Sequence, residues 1–449
     1  MRKCIEYARD NNLTYKQAVY AIQTADLNEK QNRLSRLPNV SGSGNGGFQF
    51  GRTIDPTTNT FDNRRISFNS FRVDAGATLF SGGQINNLIK QSQLNLEASK
   101  EDAATAFNTM ALSVANAYLL ILMTEEQLEN AIKRRDLSQR QLDQTDKLIQ
   151  VGTIPANDRF DILAQIANDD QLIVQSRNQV EINYLNLKLL MQLDPNTDIR
   201  VERPQVIIPA DANPEEMTFR EVYTTAMDTQ PQLRAVELRL HSSELDVQIA
   251  RADMLPRLSV FGGIDTRWSS AARSIDQIMD VLVTQKIIFA GIEEEIQFQS
   301  QSFTFKKTPY FEQINQNFGQ FLGLSLQVPI YSNGRNSINV ERARLGILNA
   351  KLQSDQTKQQ LKNDVQTAIA NARAGRRTLE ASEKADEAAR VAYENAERRF
   401  QLGAINNLQL LTARNAYDIA QTNLIVAKYD YLFRLKILDF YLGKELKLD

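Results

Sequence analysis

The chain has 449 residues, with 52 Lys and Arg against 54 Asp and Glu and a formal net charge of −2, so it offers no polybasic surface and no nucleic-acid partner is expected. One cysteine and one histidine exclude an internal disulfide framework, a multi-cysteine zinc site and a His-based metal site or catalytic triad. No catalytic residue, metal or cofactor is expected, and the chain does not read as an enzyme.

The start, MRKCIEYARDNN, has no signal-peptide apolar core, and the three residues before Cys4 leave no lipidation signal to read. Either the protein stays inside the cell or its leader is missing from this sequence. A helical pattern over about 13–36 stops before Pro38. Two period-two runs follow, NVSGSGNGGFQF and FRVDAGATLF; in the second, Phe71, Val73, Ala75, Ala77 and Leu79 alternate with Arg72, Asp74, Gly76 and Thr78, which predicts strands. From 82 to 151 there is no proline, and Ala103, Phe107, Met110, Val114, Ala117 and Ile121 recur at spacings of four and three, a coiled-coil seam. At 1.5 Å per residue such a helix would be roughly 105 Å long. Its most apolar stretch, MALSVANAYLLILM, is shorter than the roughly 18–20 residues of a spanning helix and carries Asn116. It reads as a buried stripe.

The tip VGTIPANDR comes next, with Gly152 as a helix C-cap and Pro155 in the first turn of the following helix. That helix, 156–193, places Ile166, Ile173, Val180 and Leu187 at strict sevens. Residues 195–216 are proline-rich and predict a non-helical crossover. The same order then returns. A helix over 231–253 stops before Pro256, and RLSVFGGIDTRW alternates Leu258, Val260, Ile264 and Trp268 with Ser259, Asp265 and Arg267. A long outer loop is expected at about 269–317. Beyond it a strand carries Leu322, Leu324, Leu326, Val328 and Ile330; a proline-free helix runs over 333–402; a second tip surrounds Gly403; and a last helix covers 406–442.

The return is an internal repeat. TLFSGGQINN at 78–87 and PIYSNGRNS at 329–337 align without a gap, Phe80 with Tyr331, Ser81 with Ser332 and Gly83 with Gly334, and the same offset of 251 relates Gly152 to Gly403. Residues 1–194 and 217–449 are therefore two structural repeats, with Gly82, Gly83 and Gly334 at the strand-to-helix turns. Strands with one apolar and one polar-to-glycine face fit a membrane barrel with a wet interior and, on pattern alone, a soluble sheet as well. Four strands cannot close a barrel, and an open edge in hydrocarbon leaves backbone groups unpaired. The membrane reading therefore requires several copies and makes a channel, with Phe71, Trp268 and Tyr331 as candidates for its aromatic girdle.

CIEYARDNN, LPNVSGSG, LFSGG, VGTIPANDRFDIL, LPRLSVFGG, PIYSNGR and LGAINNLQLL, in order and in duplicate, resemble the TolC family of outer-membrane efflux proteins over nearly the whole chain. The resemblance implies a mainly α fold with a small β part. Each chain of a homotrimer would give four strands to a twelve-stranded barrel in outer-membrane lipid and long coiled-coil helices to a tube crossing the periplasm. It further implies docking to a periplasmic adaptor and an inner-membrane pump, no cofactor, and a passive exit duct gated at the helical tip. Cys4 then matches an apolar helix position, and a truncated or processed N-terminus accounts for the missing leader. The long stretch after the third strand departs from the shorter loop usual in the family.

Asp158 and Asp161, three apart after the first tip glycine, share a helix face. Three chains would ring a narrowing with six carboxylates, a field that favours cations. Family members carry aspartates six and nine positions after the tip glycine, which these two match; the second-tip counterparts are Gln409 and Thr412. Phe400 stands where the family has an aromatic three before the second tip glycine, and its missing hydroxyl puts a tyrosine latch in question. Acidic residues also suit the first turn of any helix through its dipole. Two other readings stand beside the efflux duct: an exit duct for type I protein secretion, and, in a different class, a pore-less coiled-coil scaffold or adhesin that would extract without detergent.

Overall fold

The computed structural model describes residues 1–54, 60–63, 65–203, 213–289 and 292–444. In chain order the described elements are α1 (Arg2–Asn11), α2 (Leu13–Leu34), β1 (Asn39–Gln49), β2 (Arg52–Ile54), β3 (Phe61–Asn63), β4 (Ile66–Phe80), α3 (Gln84–Gln150) and α4 (Asp158–Met191). The second half gives α5 (Phe219–Thr229), α6 (Pro231–Ala252), β5 (Arg257–Ser269), β6 (Arg273–Phe289), β7 (Ile292–Lys307), α7 (Tyr310–Gln316), β8 (Gly319–Gln327), α8 (Arg335–Gln401) and α9 (Asn407–Tyr441). They fall into two compact units, a helical one of 1–29, 90–244 and 344–449 and one carrying every described strand, 30–89 and 245–343.

In the strand-bearing unit β1, β4, β5 and β8 form an antiparallel sheet in that order. The register puts Val40 beside Ala75, Val73 beside Ile264, and Val260 beside Leu324 on one face. Ser41 beside Asp74, Arg72 beside Asp265, and Ser259 beside Ser325 occupy the other. The apolar face is bare in one chain, with Leu322 84% and Leu324 68% exposed. Glycine makes room on this sheet where rings cross: a Cβ on Gly323 would lie 2.7 Å from the Phe261 ring. At 11, 15, 13 and 9 residues, the strands are in part longer than the roughly 9–11 that a tilted strand needs to cross a membrane.

The turns that follow β4 and β8 are built alike. Gly82 and Gly83 have φ of +61° and +84°, and Asn333 and Gly334 of +52° and +74°. Gln84 N donates to Ser81 O and Arg335 N to Ser332 O, at 3.0 and 2.9 Å. Left-handed backbone is nearly free for glycine and costly for a residue with a Cβ, which explains the glycine pairing that the two halves share.

One segment departs from expectation. Residues 269–317 hold a hairpin of β6 on β7 followed by α7, in place of a loop. The run Phe298, Ser300, Ser302, Thr304 against Gln299, Gln301, Phe303, Phe305 alternates on both sides, and strand pairing satisfies its backbone where a bare loop would not.

In the helical unit, α3 is buried on two sides between residues 110 and 122. Met110, Val114, Ala117 and Ile121 pack on Ala8 of α1 and Leu187 and Met191 of α4, while Tyr118, Leu119 and Leu122 pack on Ile425, Tyr429 and Leu432 of α9. α3 as a whole contains an 18-residue window long and apolar enough to cross a membrane by composition, but half of that window is buried inside the protein. α8 repeats the arrangement with Leu361, Val365 and Ala372 against Val222 and Ala226 of α5 and Leu438 of α9.

The short helices are interrupted at matching places. Asn12 breaks α1 from α2 in extended backbone (φ −62°, ψ 127°), and its side chain donates to Leu190 O at 2.9 Å and accepts from Tyr15 N. In the second repeat Gln230 (φ −79°, ψ 116°) breaks α5 from α6 and donates to Phe440 O at 3.3 Å. Asn12 thus satisfies a carbonyl in the last turn of α4 that no intrahelical donor reaches, while Phe440 O in the last turn of α9 accepts from Gly443 N at 3.1 Å as well. α5 itself lies ahead of the predicted 231–253 helix and is started by a Thr218–Glu221 capping box. The centre of the expected crossover, 204–212, lies outside the described residues.

Candidate functional site

The two helical tips belong to the helical unit and have one construction. After α3, Gly152 (φ +78°) closes the helix with Gly152 N donating to Ile149 O and Thr153 N to Leu148 O, both at 3.0 Å. After α8, Gly403 (φ +71°) does the same with Phe400 O at 2.9 Å and Ala404 N to Arg399 O at 2.8 Å. This is a Schellman closure. Pro155 stands outside the following helix and not in its first turn: Asp158 N donates to Pro155 O at 3.2 Å, and α4 starts at Asp158. The proline therefore shapes the turn that precedes the helix.

Asp158 is half-buried and Asp161 exposed, both in the first turn of α4. Asn407 Nδ2 donates to Asp161 Oδ2 at 3.4 Å, so the first tip touches the second at this carboxylate. Asn407 is itself buried with its Oδ1 unpartnered. On the other side of α4, Arg159 pairs with Asp146 of α3 at 3.2 Å.

The second tip holds its three candidate residues differently. Gln409 is exposed, and its backbone N–H donates to the capping Asn406 side chain at 3.0 Å. Thr412 is exposed, with its hydroxyl donating to Leu408 O within α9 at 2.8 Å. Phe400 is buried with Tyr393 and Leu410, so it acts as packing between α8 and α9. The remaining aromatic candidates are in the strand-bearing unit. Phe71 and Trp268 lie on the apolar face of the sheet, Trp268 against Tyr310 of α7 with ring centroids 5.5 Å apart, and Tyr331 is 83% exposed beside the turn into α8.

Above the tips lies a charged cluster that spacing arguments do not single out. Arg414 of α9 has no exposed surface, and Asp169 of α4 is 1% and Asp418 of α9 3% exposed. Arg414 Nη2 donates to Ser138 Oγ at 2.7 Å and to Arg134 O at 2.8 Å, and reaches Asp169 Oδ2 at 3.4 Å. Ser138 Oγ donates to the same Asp169 oxygen, Gln165 donates to the other at 2.9 Å, and Arg134 pairs with Asp418 at 3.0 Å. Burial raises the Asp418 carboxyl above its usual range, opposed by Arg134 and Arg414 and reinforced by Asp169. In the structure Ile162, Asp169 and Asn183 lie on one seven-residue stripe of α4, and all three are buried. The cluster ties α3, α4 and α9 together just above the tips.

A four-stranded sheet with one bare apolar face and open edges, joined to paired coiled-coil hairpins, defines the class of outer-membrane channel that barrel and helices build together. The chain belongs to the Outer membrane efflux protein family, which it matches over residues 4–191 and 222–444. It is 25% identical to outer membrane protein OprJ of Pseudomonas aeruginosa over 435 residues, 93% of this chain and 78% of that one. To outer membrane protein TolC of Escherichia coli it is 22% identical over 219 residues, 47% of this chain and 44% of that one. Among solved structures it superposes on CusC (TM-score 0.77, 16% identity, 99% of this chain and 92% of that chain) and on VceC from Vibrio cholerae (TM-score 0.77, 15% identity, 99% and 96%). It is an outer-membrane efflux channel extending into the periplasm, and not an enzyme. Members of the family are trimeric ducts that work with an adaptor and an inner-membrane pump.

Proposed function

We propose that three copies pair their β1 and β8 edges to close the barrel and bring their tips together as the gate of a passive exit duct. Asp158 and Asp161 ring the narrowing and favour cations; Gln409 and Thr412 face it as polar neighbours; Phe400 keeps the second tip packed. A periplasmic adaptor and the pump it recruits supply the energy, and opening is a rotation of the α4 and α9 tips away from one another. Phe71, Trp268 and Tyr331 anchor the barrel at the lipid interfaces. The observation that carries the gate is the contact between tips at Asp161, where an exposed carboxylate meets Asn407 across the two halves at 3.4 Å, long enough to be given up cheaply. The test is the reversal potential of single channels under a salt gradient. The parent is expected to be cation-selective and Asp158→Ala/Asp161→Ala markedly less so; equal selectivity removes the gate role from these carboxylates.

A further inference from the structure

The second repeat carries a long hairpin where the first has, among the described residues, only the short pair β2 and β3. Matched positions ahead of the sheet are 218 apart, Asn12 with Gln230 and Pro38 with Pro256, and those beyond it are 251 apart, Gly83 with Gly334. The 33 additional residues fall between β5 and β8, where the β6–β7 hairpin pairs Arg273–Phe289 with Ile292–Lys307. Its base is well anchored. Thr308 N donates to Ala272 O at 3.2 Å, Gln313 of α7 accepts from Ser269 N at 3.0 Å, and Gln313 Nε2 donates to Thr308 O at 2.8 Å.

Above that base the hairpin is bare on both faces. Ile278, Phe303, Leu282 and Phe305 lie on one face and Val283 and Phe298 on the other, all exposed, Leu282 by 70%. It is a two-stranded sheet among the described residues, so the outer ladder of each strand lacks a neighbour, and neither strand contains the proline that blunts an edge. A two-stranded hairpin alone is marginal in water. Something covers it.

Lipid does not fit. The face that carries Leu282 also carries Asp280, Lys286, Glu293 and Glu295, and Lys286 Nζ stands 3.6 Å from Glu295; such charges are costly on a lipid-facing strand. At 13 residues β5 already exceeds the roughly 9–11 that a tilted strand needs to cross, and the hairpin begins where β5 ends. The covering surface must instead offer free strand edges and a mixed apolar and charged face at this same height. In a closed ring the neighbouring copy does so by symmetry, presenting a free β6 edge to each free β7 edge in antiparallel sense.

We propose that the β6–β7 hairpins of the three copies pack on one another as an intersubunit collar continuous with the barrel, β6 of one copy adding to β7 of the next. The collar rests on the three-copy assembly proposed above, and the experiment separates the two. The native mass of the detergent-purified parent is measured first. Leu282→Cys and, separately, Phe298→Cys, each in a Cys4→Ser background, are then treated with a short bismaleimide and run on denaturing gels. Covalent dimers are expected from at least one variant, one thiol per copy allowing one bridge, with a yield unchanged on tenfold dilution. Replacing 273–307 by a short Gly-Ser turn, between residues whose backbones already bond, is expected to leave a trimer that dissociates at lower temperature. Intact trimers with no crosslink at either position, or crosslinks only to another protein, overturn the collar alone. A parent that is not trimeric overturns the assembly and the collar together.

Discussion

Gly82 has φ +61°, and a Cβ there would lie 2.8 Å from Leu255 and 3.2 Å from Ala252 O, whereas Gly152 at φ +78° has nothing within 4 Å. Both positions penalise a side chain through backbone strain, about 1–2 kcal/mol, but only Gly82 adds a collision with the end of α6. Gly82→Ala is therefore expected to lower the melting temperature clearly more than Gly152→Ala, measured by circular dichroism in detergent. The buried cluster makes a second residue-scale prediction. Asp169 accepts from Ser138, Gln165 and Arg414, so Asp169→Asn leaves a buried guanidinium poorly compensated and should cost about 3 kcal/mol. Asp418 behaves differently. Burial raises its folded pKa above the unfolded one, so the folded state prefers its protonated form, and the associated stability is full below the unfolded pKa and lost as pH rises through the folded one. The melting temperature of the parent should gain on that of Asp418→Asn as pH falls from 7 towards 4; a parent that loses ground over that window has the opposite sign and contradicts the assignment.

At the scale of elements, the long helices were legible because absence of proline and a four-three spacing act over many residues, and the sheet because period two separates Val73 and Ile264 from Arg72 and Asp265. What was not legible depended on contacts between distant residues. Asn12 and Gln230 are unremarkable polar residues in sequence; their role appears only when Leu190 O and Phe440 O come within 2.9 and 3.3 Å. Replacing either by Ala should cost about 1 kcal/mol and speed amide exchange in the last turn of α4 or α9, and exchange unchanged in both would remove the amides from the account. α5 is short and follows a proline-rich stretch, yet Thr218 and Glu221 were a readable capping signal. Asp169 and Arg414 were hidden for a different reason. Charged residues on a coiled coil usually mark its solvated face, and only the convergence of three helices turns that stripe inward.

For the whole molecule, the proposed ring of copies in lipid would pair the open edges of the β1–β4–β5–β8 sheet and cover its bare apolar face, and the proposed gate would lie where the tips of the copies meet. The tip motifs marked in sequence where the helical hairpins turn, but Phe400 and Pro155 show the limit of carrying positions over by spacing: one is buried packing and the other precedes its helix. Single-channel recording in a planar bilayer, comparing the parent with Asp158→Ala/Asp161→Ala, tests the central claim most directly. Discrete small steps are expected from the parent and larger ones from the variant. Steps of equal size from both would remove these aspartates from the gate, and a protein that inserts no channels and stays in solution without detergent would contradict the duct itself.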